Sequence, residues 1–287
     1  MKTSATRLRC EAFWFLLPAL AVLAAVTLYP MLYVLWLSLQ HWSLIGGEQE
    51  FIGLGNFFRL AADGRFWNAL GNTAYFTGVS VVLELVLGLG VAVLLHRAFP
   101  GKGLMRALLL IPWAVPTVVS ARMWEWMYNS DYGVFNFLLG TKINWLGSPA
   151  WAMHAAILMD VWKTLPFVVI LLTAGLADIS PELIQAARVD GASPWMIFRR
   201  VILPLLRPLI LVALIFRTID AFRVFDSIYV LTGGGPANTT ETLSIYAYKV
   251  LFQTLQFGYG STLSVVVFLC VGLITLVYVR LMRKAGE

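Results

Sequence analysis

Ser180-Pro-Glu-Leu-Ile-Gln-Ala-Ala-Arg-Val-Asp-Gly-Ala-Ser-Pro-Trp-Met-Ile-Phe-Arg-Arg-Val-Ile-Leu-Pro204 separates two long apolar blocks of this chain. Ser180 can cap a helix that begins at Pro181, where no backbone donor is needed, and Glu182 complements the positive end of its dipole. Gly191 supplies the left-handed residue that ends such a helix. Ser193-Pro194 repeats the start signal and opens a second short helix toward Arg199 and Arg200. Pro204 and Pro208 then punctuate the start of the next apolar block. Two short helices joined at Gly191 are therefore expected in a polar loop over 177–205. Ala186 and Ala187, small and side by side, would let another backbone approach closely.

The blocks around this loop set the class. Six apolar stretches, about 13–37, 73–96, 104–127, 153–176, 206–228 and 261–281, are long enough to cross a bilayer as helices. The chain is 60% hydrophobic and 13% charged, whereas a soluble domain is about half apolar and a quarter charged. The alternation that marks a membrane barrel is absent. An all-α membrane protein of six transmembrane helices, one membrane domain over 1–287, is expected. The first block has a basic lead (Lys2, Arg7, Arg9), but its run is too long for a signal peptide and no small-residue cleavage site follows, so it reads as a retained helix.

The net charge of +6 is a matter of placement. With six spans the termini share a side, and the segments on that side hold Lys2, Arg7, Arg9, Arg97, Lys102, Arg106, Arg188, Arg199, Arg200, Arg207, Arg280, Arg283 and Lys284. The opposite loops hold Arg59, Arg65, Lys142 and Lys249. That bias puts both ends in the cytoplasm of a multi-pass plasma (inner) membrane protein, and leaves no charge to be explained by nucleic acid. Trp67, Trp113, Trp124, Trp126, Trp145 and Trp151 fall near span ends, where aromatic rings anchor at the interface. Pro112 and Pro116 predict a bend in the third span. Gly233-Gly234-Gly235-Pro236 predicts a turn. No internal repeat is visible.

Catalytic and metal constellations are missing from the sequence. Cys10 and Cys270 stand at opposite ends, and His41, His96 and His154 fall in three different inter-span regions, so neither a metal set nor a Ser/His/Asp triad assembles. No Gly-x-x-x-x-Gly-Lys-Ser/Thr phosphate loop occurs. Ionisable residues inside spans cost about 2.5–3.5 kcal/mol each at the bilayer centre, so they need a purpose. Asp160 with Lys163, and Arg122 with Glu125, have three-residue spacing and read best as mutual neutralisation between packed helices. Glu84 has no partner in its own helix. Arg217, Asp220, Arg223 and Asp226 extend outward along span five at the same spacing, the polar lining expected of a route for a hydroxyl-rich solute. Trp124 and Tyr229 are candidates to stack on such a solute.

Two readings of 180–204 stand on the residues alone: an interfacial helix pair resting on lipid head groups, or a docking element. The run resembles the cytoplasmic motif of permease subunits in binding-protein-dependent ABC importers, Glu-Ala-Ala, then Gly four residues on, then Ile-x-Leu-Pro after nine more. Here it stands as Gln185-Ala186-Ala187, Gly191 and Val201-Ile202-Leu203-Pro204, with Gln185 and Val201 as departures. Phe51-Ile-Gly-Leu-Gly-Asn-Phe57, Ile111-Pro-Trp-Ala-Val-Pro116, Asp160-Val-Trp-Lys163, and Tyr229-Val-Leu-Thr-Gly-Gly-Gly-Pro236 followed by Thr240-Glu241-Thr242 are similar to the carbohydrate (maltose-type) branch.

The resemblance implies a MetI-like, type I permease fold and a subunit that is not itself an enzyme. Its coupling helix would meet a cytoplasmic ATPase through Glu182, Gln185, Ala186, Ala187, Asp190, Gly191, Ala192, Pro194, Leu203 and Pro204. Gln185 replaces a charge, so any bond there becomes neutral. Implied partners are a second permease subunit, two ATPase copies, an extracytoplasmic binding protein, a sugar and membrane lipid. ATP and Mg would be bound by the ATPase, and no cofactor by this chain. A secondary transporter, an intramembrane enzyme and a scaffold subunit are the rival classes; the first leaves the loop over 180–204 without a purpose.

Overall fold

Long apolar runs with no partner for their backbone must close their own hydrogen bonds, and here they do so as helices. The computed structural model describes residues 2–47, 49–97 and 99–285, with side chains over 13–47, 49–97 and 99–282. The side chains of Lys2, Arg7, Arg9, Cys10, Arg283 and Lys284 lie outside the described residues. In chain order the elements are α1 (Phe13–Ser38), a hairpin of β1 (Gln40–Trp42) and β2 (Gln49–Phe51), α2 (Gly55–Ala61) and α3 (Gly64–His96). They continue with α4 (Lys102–Ala114), α5 (Thr117–Met127), α6 (Val134–Leu139), α7 (Ala152–Ala177) and α8 (Pro181–Val189). Last come α9 (Pro194–Phe222), α10 (Asp226–Leu231), α11 (Leu243–Tyr248) and α12 (Phe257–Ala285). Among the described residues, α1, α3, α7, α9 and α12 are long and apolar enough to span, and α4 with α5 makes a sixth if the bent pair is one span.

Three expectations change. The third block is broken outright: α4 and α5 meet at 99°. Val115 precedes Pro116, whose ring clashes with a helical neighbour, and Val115 accordingly takes extended angles (φ −75°, ψ 134°). The fifth block starts earlier than 206 and stops at Phe222, short of 228. The chain turns there so that Ile228 and Leu231 of α10 enter the core beside Ala121, Trp124 and Met153, which a continued helix would carry away. Pro204 and Pro208 do not break the chain either, because α9 runs through both. A π-helical turn, Phe198–Ile202, closes with the Leu203 N–H donating to the Phe198 carbonyl immediately before Pro204. The same device, Ala24–Leu28, precedes Pro30 in α1. A widened turn accommodates a residue that has no N–H.

Two compact units are present: Met1–Asp63 with Ala247–Val266, and Gly64–Tyr246 with Val267–Glu287. In the first, Asn56 Nδ2 donates to the carbonyls of Ser38 and Gln40 at 3.0 and 2.8 Å, fastening α2 to the hairpin. Arg59 stacks over Tyr259, 4.3 Å from the ring centre, and the Tyr259 hydroxyl donates to Asp63 at 2.5 Å. These contacts explain the Phe51–Phe57 motif as a structural clasp.

In the second unit α3 and α7 pack along their length. Gly88 makes this possible, since a Cβ there would lie 2.7 Å from Val168 Cγ1. Leu95, Leu172, Leu176 and Leu206 fill the layer below it, and Phe76, Trp124, Met159 and Ile228 the layer above. With 33 residues, α3 reaches about 50 Å at 1.5 Å per residue, more than the hydrocarbon needs. Its first turns carry Arg65, whose guanidinium donates to both oxygens of fully buried Glu241 at 2.7 and 2.8 Å. Asn72 Nδ2 donates to the Glu241 carbonyl and Thr73 accepts from the Leu243 N–H, so the Gly233–Thr242 turn is held to α3. Replacing Gly88 with Ala is expected to lower stability by about 1–3 kcal/mol through overpacking, while Gly90→Ala, which faces open space, should not. Thermal unfolding of the detergent-purified variants measures the difference.

Candidate functional site

Arg217 of α9 is the centre of the largest charge cluster described inside the spans. Its guanidinium makes a bidentate pair with Glu84 of α3, Nε to Oε2 at 2.5 Å and Nη2 to Oε1 at 2.8 Å. Nη2 also donates to Asp160 of α7 at 3.1 Å, and Nη1 to Asp220 at 2.5 Å. Thr164 donates to Glu84 Oε1 at 2.8 Å. One planar fork thereby ties three helices, a task suited to five fixed donors and not to an ammonium group. Glu84 is fully buried and Arg217 nearly so; in such a place the pair is held by geometry, and loss of one partner strands the other.

The expected Arg217–Asp220 pair forms, but the rest of the spacing pattern does not pair as drawn. Arg223 lies beyond the end of α9 and Asp226 opens α10, so the two are not on one helix. Asp160 turns to Arg217 instead of Lys163. Lys163 Nζ donates to the Val115 carbonyl at 2.5 Å and to the Pro112 carbonyl at 3.5 Å, covering acceptors at the α4–α5 break. Arg122 and Glu125 pair as expected, at 2.6 Å on the surface. The partner of Glu84 was invisible within its own helix; the one usable signal was a lone acid in a long apolar block, which requires a cation from elsewhere.

Beside the cluster lies a polar cavity of about 380 Å³, bordered by the α4–α5 break on one side and the α9–α10 break on the other. Trp113, Thr117, Lys163, Asp220, Arg223, Asp226 and Ser227 line it. Among the described residues the side chains of Arg223 and Asp226 have no hydrogen-bonding partner within the chain, so both are free to meet a ligand. Two proposed stacking rings are not placed there. Trp124 is 5% exposed and enclosed by Tyr128, Phe135 and Trp162, and its indole N–H has no partner. Tyr229 stacks on Phe225 at 5.2 Å, outside the lining. Trp113, read from sequence only as an anchor, is the half-exposed ring at the cavity; its place beside Pro112 and Pro116 was the available hint.

The second constellation is the loop over 177–205. Ser180 Oγ accepts from the Glu182 N–H at 3.2 Å and its hydroxyl donates to the Glu182 carboxylate, which holds that carboxyl below the usual range. At the other end Gly191 takes φ +80°, and the Ala192 N–H donates back to the Ala187 carbonyl at 2.9 Å. That is the geometry glycine permits and a Cβ opposes. Ser193 Oγ accepts from the Met196 N–H at 3.3 Å and restarts the helix. Instead of a second separate helix, the restart is the first turn of α9, so α8 is joined to a spanning helix through the four residues Asp190, Gly191, Ala192 and Ser193. Glu182, Gln185, Ala186 and Val189 are exposed on one face; Ile184 and Ala187 are half-buried. Pro194 is exposed at the first turn of α9, while Leu203 and Pro204 sit just past its widened turn.

Comparison with known proteins matches this arrangement. The family described as binding-protein-dependent transport system inner membrane component matches residues 84–285, which include both constellations. The chain is 44% identical over 275 residues to the trehalose/maltose transport system permease protein of Thermococcus litoralis, covering 94% of this chain and 93% of that one. It is also 44% identical over 276 residues to the trehalose transport system permease protein of Mycobacterium tuberculosis, covering 96% and 89%. Among solved structures, a chain of a bacterial ABC transporter involved in the import of the acidic polysaccharide alginate superposes with a TM-score of 0.85 at 22% identity, covering 99% of each. A chain of an inward-facing methionine ABC transporter gives 0.58 at 24% identity, over 81% of this chain and 99% of that one. The spanning helices, the capped loop and the matched length agree, and the chain belongs to the binding-protein-dependent transport system inner membrane component family of ABC importer permeases.

Proposed function

We propose that this chain is one permease of an ATP-driven sugar importer, forming half of the translocation pathway beside a second permease subunit. The observation that carries the reading is α8, a helix capped at both ends, joined through four residues to a spanning helix and presenting Gln185, Ala186 and Val189 outward. An isolated nine-residue helix is marginal in water, so its caps and its exposed face are those of an element waiting for a partner. A cytoplasmic ATPase, present as two copies and carrying ATP and Mg, is the partner that the coupling motif implies. Closure of that ATPase would push α8, and through Asp190–Ser193 would move α9 as one piece. An extracytoplasmic binding protein would deliver the solute. Both termini, with the bias of basic residues around them, would face the cytoplasm.

The sugar route is assigned to the cavity at the two helix breaks. Asp220, Asp226 and Arg223 supply acceptors and donors for hydroxyl groups, Arg217 fixes Asp220, and Trp113 offers an apolar face to a sugar ring. The permeases named for trehalose and maltose at 44% identity support this solute class. ATP hydrolysis belongs to a separate chain, and nothing here performs covalent chemistry.

Two outcomes test the reading. Ala186→Arg, on an exposed face where it costs the fold little, is expected to cut ATP-driven sugar uptake in proteoliposomes about tenfold or more and to reduce copurification of the ATPase, with an unchanged melting temperature. Asp226→Asn should lower uptake comparably while leaving both ATPase copurification and stability intact; unchanged uptake would remove the pathway from this cavity and leave the family membership standing. Arg217→Gln differs from both, because stranding Glu84 should cost about 3–5 kcal/mol of stability, read by thermal unfolding.

A further inference from the structure

At the end of α3 opposite to Arg65, a groove of about 620 Å³ opens between α3, the end of α7, α8 and the first turns of α9. One wall carries the cations Arg97 and Arg188, with the His96 ring beside them; the other is apolar, with Val93, Leu176 and Ile202. We propose that this groove binds an acidic phospholipid, its phosphate on Arg97 and Arg188 and its first methylenes along the apolar wall.

Charge is the first argument. Among the described residues there is no carboxylate lining the groove and no ion-pair partner for either arginine. Both arginines stand at helix C-termini, Arg97 just past α3 and Arg188 in the last turn of α8, where a cation complements the dipole. The dipoles do not require the two to line one groove, as they do from different elements. Two guanidinium groups lining one groove suit a phosphate, to which each can donate more than one hydrogen bond.

Level is the second argument. The groove sits where the apolar runs of α3 and α7 stop and that of α9 begins, which is where lipid head groups meet the helices. Trp195, stacked on Phe198 at 5.4 Å and 68% exposed, stands on its rim as interfacial tryptophans do. A free inorganic anion would use only the cationic wall. A lipid uses both walls.

The site does not compete with the docking face of α8. Ile184 and Arg188 are four residues apart and share the side of the helix turned to the groove, whereas Gln185, Ala186 and Val189 are on the other side. Lipid retention by this chain needs neither ATPase nor solute, so its failure would leave the transport reading untouched.

Native mass spectrometry of the full chain in mild detergent, titrated with phosphatidylglycerol or phosphatidylcholine, tests the proposal. One phosphatidylglycerol should be retained about tenfold more tightly than phosphatidylcholine. In R97Q/R188Q that preference should disappear, while Arg122→Gln, which removes a cation elsewhere on the surface, should keep it. Equal retention of the two lipids by the unmodified chain would overturn the proposal without reference to any variant. So would an unaltered preference in R97Q/R188Q, or displacement of the lipid by millimolar inorganic phosphate, which would make the groove a free-anion site. Loss of ATPase copurification in R97Q/R188Q with lipid retention intact would assign the groove to a protein partner.

Discussion

The guanidinium of Arg217 holds α3, α7 and α9 in one register, and the geometry of the second unit follows from it. Glu84 is fully buried in a helix that offers it no cation, so α9 must present Arg217 at that height. Once Arg217 is there, Asp160 and Asp220 take its remaining donors, and α7 can rotate only as far as Asp160 allows. Buried ion pairs are poor stabilisers compared with a well-packed apolar core, but removing one partner leaves an uncompensated buried charge. In a bundle of apolar helices, where one leucine face resembles another, this cluster joins α3, α7 and α9 at one defined height.

The cluster also determines where the bundle is open. Because Asp160 is held by Arg217, Lys163 is left to the carbonyls of Pro112 and Val115 at the α4–α5 break. A broken helix inside a membrane is tolerated only where its freed backbone groups are satisfied or face a water-filled space. Here both conditions occur side by side: Lys163 covers the carbonyls, and the polar cavity opens next to it. The second break, between Phe222 and Asp226, has a different origin. It follows from burying Ile228 and Leu231 in the core, and it leaves Arg223 and Asp226 at the cavity wall.

Much of this was legible in the residues, and the portion that was not has a common physical cause. The caps at Ser180 and Ser193 and the left-handed Gly191 are local properties of adjacent residues, and each is found in the structure, while the bend expected from Pro112 and Pro116 is a break before Pro116 with Pro112 inside α4. Pairings along one helix were also readable, as for Arg217 with Asp220 and Arg122 with Glu125. Pairings between helices were not. Asp160 and Lys163 have good spacing for each other, yet both find better partners on other elements, and spacing contains no information about those. The enclosure of Trp124 and the exposure of Trp113 are of the same kind, since both are ordinary span-end tryptophans until α10 folds over one and the helix break uncovers the other. Proline was misread in the opposite sense. Pro204 looked like punctuation, but a π-helical turn absorbs it.

That last point links the coupling loop to the cavity. If Pro204 had ended a helix, a push on α8 would have reached a joint and been lost there. Because α9 is continuous from Pro194 to Phe222, its first turn carries the restart cap at Ser193 and its last turns carry Arg217 and Asp220. On the proposed reading, a displacement delivered next to Gly191 would reach the ion cluster and the cavity beside it along a single 29-residue element. The widened turn before Pro204 lies between the two ends, where a small change in helical winding would alter their relative rotation. Continuity of α9, and not the number of spans, is what would let the loop and the cavity act as parts of one device.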